Sequence, residues 1–364
     1  MPSSAEPLTV AFVLVSHATD SPAGMERATA ALAHGLRQLG HRALIITAIK
    51  GVDTVQLTSL NVIFPCDDLE LRHAISSRRQ DIADELCELY REHQVDVAVY
   101  VDALWGLGRL APACGVRSVL AMHVVGHDED LAPAVSRADL VIAPSRTVFD
   151  HAHQRGYDTT GWHVVPNALL HEHASPSYSW REALRRHGPI RVLARLGPEK
   201  NVRALLDAGR SVDRTVDVVV GKAGFEQSEG AQTAELRRCR DSAAHLTLGT
   251  FRDGGLRWDQ VQPWFCQAAL VIVPSLRETF GLVALEAMSV GAPVVAFDVG
   301  NLSALIGAGG AVVPRSSGEH GLWRAAEGLL EDPVRYADLS RAAYYRSRDY
   351  LPTTVATTFV KAVR

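Results

Sequence analysis

Leu270-Val-Ile-Val273-Pro274-Ser-Leu-Arg-Glu278-Thr-Phe-Gly281-Leu-Val-Ala-Leu-Glu286 is the stretch on which the reading of the fold turns. Four apolar residues, Leu270 to Val273, read as a short buried strand. Phe280-Gly281 reads as a turn, and the apolar run after it as a helix from Gly281 to Val290. Seven residues separate Glu278 from Glu286. The first carboxylate falls in the loop and the second about two turns into the helix. A helix N-terminus offers free N–H groups and a partial positive charge to an anion such as a phosphate. A ligand seated there meets Glu278 at its reacting end and Glu286 where a ribose would lie. Taken without their setting, the two acids read more readily as surface residues.

The same alternation extends in both directions. Before it come a strand at Ile190 to Arg195, a helix at Asn201 to Ala208, a strand at Val216 to Gly221, a helix at Gln232 to Arg240, a strand at His245 to Leu248 and a helix at Val261 to Gln267. A strand at Pro293 to Phe297 follows. The first half repeats the pattern, with strands at Leu8 to Ser16, Arg42 to Ile49, Val95 to Val101, Val116 to His123 and Leu140 to Ala143. Its helices fall at Gly24 to Leu39 and Ser77 to His93. A polar stretch, His171 to Ser179, suits a linker. Short apolar strands alternating with helices predict an α/β chain of two Rossmann-like, doubly wound parallel-sheet domains facing across a cleft. The expected domains are residues 1–167 and 168–344. A final helix, read from Ser340 to Arg364, crosses back to the first domain over about 345–364.

Composition narrows the class. With 364 residues, 47% of them apolar and 21% charged, the chain suits two soluble domains. No run of about 18 apolar residues predicts a membrane span, and the start lacks the pattern of a signal peptide. The five cysteines are scattered and include no Cys-x-x-Cys. Reduced thiols and a cytoplasmic setting are therefore expected, with no zinc site. The net charge of −4 divides into −7 through Asn167 and +3 beyond it. That distribution argues against a nucleic-acid partner. It suits an anionic ligand in the second half and a neutral or cationic one in the first.

Other segments carry possible chemistry. Arg195 and Lys200 lie at a strand end and in the loop beyond it, where a planar fork and a compact charge suit a diphosphate. The same pair also reads as an ordinary charged loop. Gly24, opening a helix, suits close backbone approach to a ligand, but the loop is neither a dinucleotide fingerprint nor a P-loop. His123 closes a strand, where a lone histidine is more often a capped polar residue than a functional one. His127, Asp128, Glu129 and Asp130 follow in what reads as a loop. No distant third ligand accompanies these histidines, so no metal site is assigned. Trp105, after Asp102, is the tryptophan placed to stack on a sugar face. No Gly-x-Ser-x-Gly elbow is present.

Together these segments resemble the retaining glycosyltransferases of the GT-B fold, family 4. The run from Pro274 through Glu286 and on to Gly-Ala-Pro293 matches that family's signature. Ala194-Arg195-Leu through Lys200, Gly24-Met-Glu26, Ala138 through Ser145 and Val165-Pro-Asn167 resemble further segments in the same order. Thr279, where the family commonly has Gly, and Asn201, where Gly often follows the Lys, depart from it. The resemblance implies that Arg195 and Lys200 hold the diphosphate of a nucleotide-sugar and Glu286 its ribose. Glu278 and His123 then face the sugar. Thr279, the backbone of Phe280, Gly281 and Leu282, and Gly24 complete the donor site. It implies no cofactor, since the nucleotide-sugar, expected as a UDP-sugar, is a co-substrate.

Acceptor binding is expected in the acidic first domain, at Asp20, Glu26, Asp102, Trp105, His127, Asp128, Glu129 and Asp130. Those acids suggest a small cationic acceptor. The whole is similar to glycosyltransferases of aminoglycoside-antibiotic assembly, acting on an aminocyclitol or pseudosaccharide hydroxyl. The alternatives are a lipid or other polar acceptor, a GT-B sugar-nucleotide epimerase, and a catalytically silent nucleotide-sugar-binding protein.

Overall fold

The computed structural model describes residues 6–19, 24–49, 51, 53–63, 66–101, 104–111, 114–210, 212–226, 230–246 and 249–364. The chain divides into two units. The first takes the chain up to Ala18, Met25–Leu170 and Leu351–Arg364; the second is built on His171–Tyr350.

In the first unit seven strands form one sheet: β1 Thr9–Leu14, β2 Arg42–Thr47, β3 Val55–Gln56, β4 Val97–Tyr100, β5 Arg117–Ala121, β6 Leu140–Ala143 and β7 His163–Val164. Their spatial order is β3-β2-β1-β4-β5-β6-β7, and the ladders are parallel. A sheet covered on both faces needs continuous apolar strands rather than alternating ones. Strand β1 meets that demand, with all six residues buried. Val10 stands opposite Ala43 on one side and Val97 on the other.

The second unit repeats the plan with β8 Ile190–Arg195, β9 Val216–Gly221, β10 Gly249–Arg252, β11 Leu270–Val273, β12 Val294–Phe297 and β13 Gly310–Val313. The order is β10-β9-β8-β11-β12-β13, again parallel. In each unit the first strand is central and the order reverses beside it, between β1 and β4 and between β8 and β11. Open sheets of this kind bind ligands outside the carboxyl ends of the strands at that reversal. The doubly wound fold expected from the sequence is thus present in both halves.

Several boundaries differ from expectation. Strand β10 begins at Gly249 and not at His245. Gly249 has φ +124°, and a β-carbon there would overlap the Val216 carbonyl oxygen of β9, so only glycine lets the edge strand start at that point. The short edge strands β3 and β13 and the helix Tyr178–His187 were not foreseen. The expected final helix is two helices, Pro333–Ser347 and Pro352–Val363, joined by a 3-10 turn at Arg348–Tyr350. Pro352 has no N–H to continue a helix, and it holds Leu351 extended, at φ −63° and ψ 149°.

The second of these helices belongs to the first unit. Its Val355, Ala356, Phe359 and Val363 join Val10, Phe12, Leu32 and Leu36 in one apolar core. The Phe12 and Phe359 rings lie 6.3 Å apart. Gly35 allows the close approach, because a β-carbon there would strike the Pro352 carbonyl.

One cysteine expectation is corrected. Cys87 and Cys114 are joined by a disulfide, with Cα atoms 5.7 Å apart. Two cysteines far apart in sequence give no sign of pairing until the helix Arg79–His93 is placed beside residue 114. Cys66, Cys239 and Cys266 are free thiols. Burial pushes the Cys239 thiol up to about 12 and the Cys66 thiol to about 11, so neither is a thiolate at neutral pH. No described helix is long and apolar enough to cross a membrane.

The fully buried Phe359 should be among the most sensitive positions of the first unit. Phe359→Ala is expected to cost about 3–5 kcal/mol. Hydrogen exchange in rising urea should show first-unit amides losing protection early while the second unit's midpoint stays put. An unchanged first-unit midpoint would contradict the packing role of the last helix.

Candidate functional site

The two motifs singled out in the second unit sit at the carboxyl ends of β8 and β11, the adjacent pair at which strand order reverses. The β8 end runs through Arg195 into the 3-10 turn Pro198–Lys200. The β11 end runs through Pro274–Phe280 into the helix Leu282–Ser289. A backbone hydrogen bond joins the two loops: the Leu276 N–H donates to the Glu199 carbonyl at 2.8 Å. Next to it, Lys200 Nζ donates to Glu278 Oε2 at 2.7 Å. Both side chains are mostly buried, 21% and 16% exposed, which spares the pair much of the screening that weakens surface ion pairs. Arg195 Nη2 pairs with Glu199 Oε1 at 2.6 Å. Each expected cation of the site therefore carries a carboxylate partner.

The β11 loop is clamped from a third strand end. Beyond β12, the Asn301 N–H donates to the Glu278 carbonyl at 3.2 Å, and Asn301 Nδ2 to the Phe280 carbonyl at 3.1 Å. Gly300, at φ +53°, lies so close that a β-carbon would overlap the Glu278 carbonyl oxygen. Phe280 packs edge-on against Tyr350, with ring centroids 5.8 Å apart. Gly281 has φ +103°, and a β-carbon on it would come within 2.7 Å of Leu302. That strained position starts the helix at Leu282 without a side-chain cap, leaving its first-turn N–H groups at the loop. Glu286 is the fifth helical residue and is buried, 3% exposed. It is little more than one turn in, not two, because the helix starts at Leu282. Thr279 is half-buried in the bend before Phe280. Asn201 takes the left-handed conformation at φ 56° and donates to Glu319 at 2.7 Å. A position that favours glycine is filled here by an asparagine with an anchor of its own.

In the first unit His123 lies two residues past the end of β5 and is partly accessible. It lines a small cavity of about 30 Å³ with Phe12, Thr29, Val99, Ile142 and Asn167. Burial pushes its imidazole down to about 4, so it is neutral at physiological pH. Gly24 opens the helix Gly24–Gln38, and among the described residues a β-carbon on it would meet nothing within 4 Å. The described residues thus give no steric reason for glycine at that position.

The expected acceptor residues are arranged differently from the loop foreseen. His127 is exposed at the N-cap position, and Asp128, Glu129 and Asp130 form the first turn of a helix, Asp128–Arg137. Asp130 is buried, 1% exposed, between Arg109 and Arg72, the latter at 2.8 Å. Arg72 also reaches Glu129 at 3.1 Å. Asp128 pairs with Arg155 and accepts from the Tyr157 hydroxyl at 2.9 Å. The three acids are neutralised within the fold. Trp105 is 4% exposed and its indole N–H donates to Asp68, so it is a packing residue and no open stacking platform. Glu26 is buried and accepts from the Ser16 hydroxyl. Asp20 and Asp102 lie outside the described residues.

The profile described as glycosyl transferases group 1 matches residues 190–332, spanning β8 to β13. The profile described as glycosyltransferase family 4 matches residues 22–173. The two halves of the chain are thus each similar to a glycosyltransferase family. Curated relatives match shorter stretches. D-inositol 3-phosphate glycosyltransferase of Pseudarthrobacter chlorophenolicus is 44% identical over 94 residues, 25% of this chain and 22% of that protein. Its counterpart from Paenarthrobacter aurescens is 32% identical over 148 residues, 40% of this chain and 35% of that protein. The matched stretches thus span little more than a third of these relatives' length at most. Among solved structures, sucrose-phosphate synthase from Thermosynechococcus elongatus aligns with a TM-score of 0.77 at 18% identity, covering 97% of this chain and 98% of that one. Anabaena HepE, solved in complex with UDP and glucose, aligns at 0.73 and 18% identity, covering 98% and 99%. At that identity the likeness speaks to the fold, which is the GT-B pair of Rossmann-like domains.

Two expected outcomes test the site's construction. Gly300→Ala should cost about 2 kcal/mol or more and lower the melting temperature by several degrees, since it must push the Glu278 carbonyl aside. A wild-type melting temperature would contradict the close approach. For His123 the folded pKa is depressed, so the unfolded chain takes up its proton first as pH falls. Stability is therefore lost between about pH 6.5 and pH 4. His123→Asn should flatten that part of the stability–pH curve, and a slope identical to wild type would contradict the assignment.

Proposed function

We propose that this protein transfers a sugar from a nucleotide-sugar, a UDP-sugar, to a hydroxyl of a small polar cyclitol acceptor, with retention of anomeric configuration. The observation that carries the reading is the convergence of Arg195, Lys200 and Glu278 on the adjacent ends of β8 and β11. The uncapped start of helix Leu282–Ser289 lies immediately beyond that loop. Breaking a sugar–phosphate bond builds negative charge on the departing diphosphate. Fixed cations and helix N–H groups are preorganised for that charge and favour the transition state over the ground state. In this reading Arg195 and Lys200 take the diphosphate, Phe280 to Leu282 give it backbone N–H groups, and Glu286 accepts from the ribose hydroxyls. Thr279 shapes the loop. Glu278, released from Lys200, faces the electron-poor sugar. The leaving phosphate then accepts the acceptor's proton on the same face, so no separate base is required.

In the first unit we assign His123, held neutral by burial, to hydrogen bonding with a sugar hydroxyl. We keep Gly24 for close approach to the donor. The acceptor class draws on the relatives, whose names specify D-inositol 3-phosphate, a cyclitol derivative. An amino-bearing acceptor in antibiotic assembly draws no support from Asp128, Glu129 and Asp130, because their charge is already answered by arginines.

Purified protein should be titrated with UDP, GDP, ADP and TDP by thermal shift, then assayed with the preferred nucleotide-sugar against neutral cyclitols, aminocyclitols and lipids. UDP is expected to stabilise the fold by mass action, and Lys200→Ala to abolish the effect. Glu278→Gln and Arg195→Ala should keep the fold and lower turnover by about 100-fold or more. Near-normal turnover in both variants would defeat the donor-site assignment. Transfer to lipid alone would defeat the acceptor class, and an inverted product the stereochemical one.

A further inference from the structure

Asn301 stands beyond the carboxyl end of β12, at the N-cap position of the short helix Leu302–Ile306. Asparagine is favoured at such a position because its side-chain oxygen accepts from N–H groups of the first turn. This one makes no such bond to its own helix. Its amide is turned elsewhere, and Nδ2 donates to the Phe280 carbonyl at 3.1 Å. Its backbone N–H donates to the Glu278 carbonyl at 3.2 Å. One residue thus holds two carbonyls of the loop that follows β11. The side chain serves that loop and not the helix that it precedes.

The consequence lies in the peptide planes. Across a trans peptide, a carbonyl and the N–H of the next residue point in opposite directions. Fixing the Glu278 carbonyl therefore aims the Thr279 N–H, and fixing the Phe280 carbonyl aims the Gly281 N–H. Strand order gives the side. Strand β11 lies between β8 and β12. Both carbonyls are drawn toward the β12 end, so the N–H groups of their peptides turn toward the β8 end, where Arg195 and Lys200 stand. Among the described residues no hydrogen bond uses the Gly281 N–H. Gly281 sits at φ +103°, and glycine has more backbone freedom to lose on being fixed than any other residue. Without a hold, the Phe280–Gly281 peptide is the plane of this turn most able to rotate. One hydrogen bond from a half-buried side chain stops it.

We propose, on the donor-site reading above, that Asn301 is a positioning residue: its side chain locks the Phe280–Gly281 peptide so that the Gly281 N–H faces the diphosphate held by Arg195 and Lys200. Asn301 acts through the backbone and contacts no substrate atom itself. The N–H is aimed before the ligand arrives, so it needs no reorganisation as charge grows on the leaving diphosphate.

The sequence supplies a direct probe, because Phe280-Gly281 is the sole Phe–Gly pair in the chain. Labelling with carbonyl-13C phenylalanine and 15N glycine gives one carbonyl-correlated amide signal, that of Gly281. The full chain is titrated with UDP, or with whichever of GDP, ADP and TDP it prefers, and with the matching nucleoside, which carries no phosphate. In wild type the diphosphate should bind by calorimetry and shift the Gly281 signal. Asn301→Ala should move that signal in the unliganded protein, shrink its response and weaken the diphosphate about 10-fold. Asn301→Asp keeps the shape of the side chain but sets an acceptor against the Phe280 carbonyl, so it should weaken the diphosphate at least as far. The nucleoside, followed by ligand-detected NMR, should bind all three proteins alike, whereas a merely structural defect would weaken both ligands together. If Asn301→Ala does not fold, Asn301→Asp decides. The proposal alone is overturned if wild type binds the diphosphate while the Gly281 signal stays put. It is equally overturned if the variants bind the diphosphate as tightly as wild type, or lose the nucleoside in the same proportion. If wild type binds none of the four diphosphates, the donor-site reading falls and this proposal with it.

Discussion

Two strands that are neighbours in space but distant in sequence end side by side in the second unit, and their loops are tied by one backbone hydrogen bond, Leu276 to Glu199. The placement of Lys200 against Glu278 depends on that tie. A loop alone cannot hold a flexible lysine side chain against a carboxylate; the entropy of ordering both favours letting them wander. Here the backbone is fixed first by the parallel sheet, then by the Leu276 bond, and then by Asn301 reaching over from the end of β12. The side chains meet because little else is left to move. Preorganisation of this kind is what lets charges count in a site that must stabilise a departing anion.

The ion pairs also set an order of events for any anionic ligand. Arg195 and Lys200 are not bare cations waiting in water, since Glu199 and Glu278 occupy them. An incoming diphosphate competes with those carboxylates, and its success frees Glu278 for other contacts. The first unit shows the opposite use of acids. Asp130 is buried between two arginines and holds the helix Asp128–Arg137 in place, so its charge serves the fold.

Much of this was legible in the sequence because strands buried on both faces are written as apolar runs; β1 and β11 are of that kind, and β8 is one interrupted by Arg191. The strand-end residues Arg195, Lys200, Glu278 and Glu286 stood out because their spacing makes sense only beside such strands. Legibility failed where local sequence carries no pattern. Strand β3 is two residues long and has no apolar run to announce it, and the Gly310-Ala-Val-Val313 run of β13 is short and opens on two glycines, which read as a turn. Asp128 to Asp130 follow a glycine and a histidine and read as a loop. Only the arginines at 72, 109 and 155, distant in sequence, reveal that the acids are a paired helix start. Trp105 was misjudged for the same reason, its partner Asp68 lying 37 residues away. Cys87 and Cys114 likewise declare their bond only in space. Asn301 gave no signal at all, because one asparagine after a strand becomes unusual only when the loop it reaches is placed beside it.

The chain's return to the first unit gives the molecule an asymmetry in time. A ribosome delivers β1 to β7 long before it delivers Phe359, so the unit made first is the one finished last. Until residues 352–363 emerge, the face of Phe12, Leu32 and Leu36 that they cover stands open to water. The second unit, by contrast, draws its six-stranded sheet from one continuous stretch and has all those strands in hand once Val313 is made. A nascent chain of this protein therefore carries a closed second sheet and an apolar wound on the first. Residues 352–363 are thus the seal on that core.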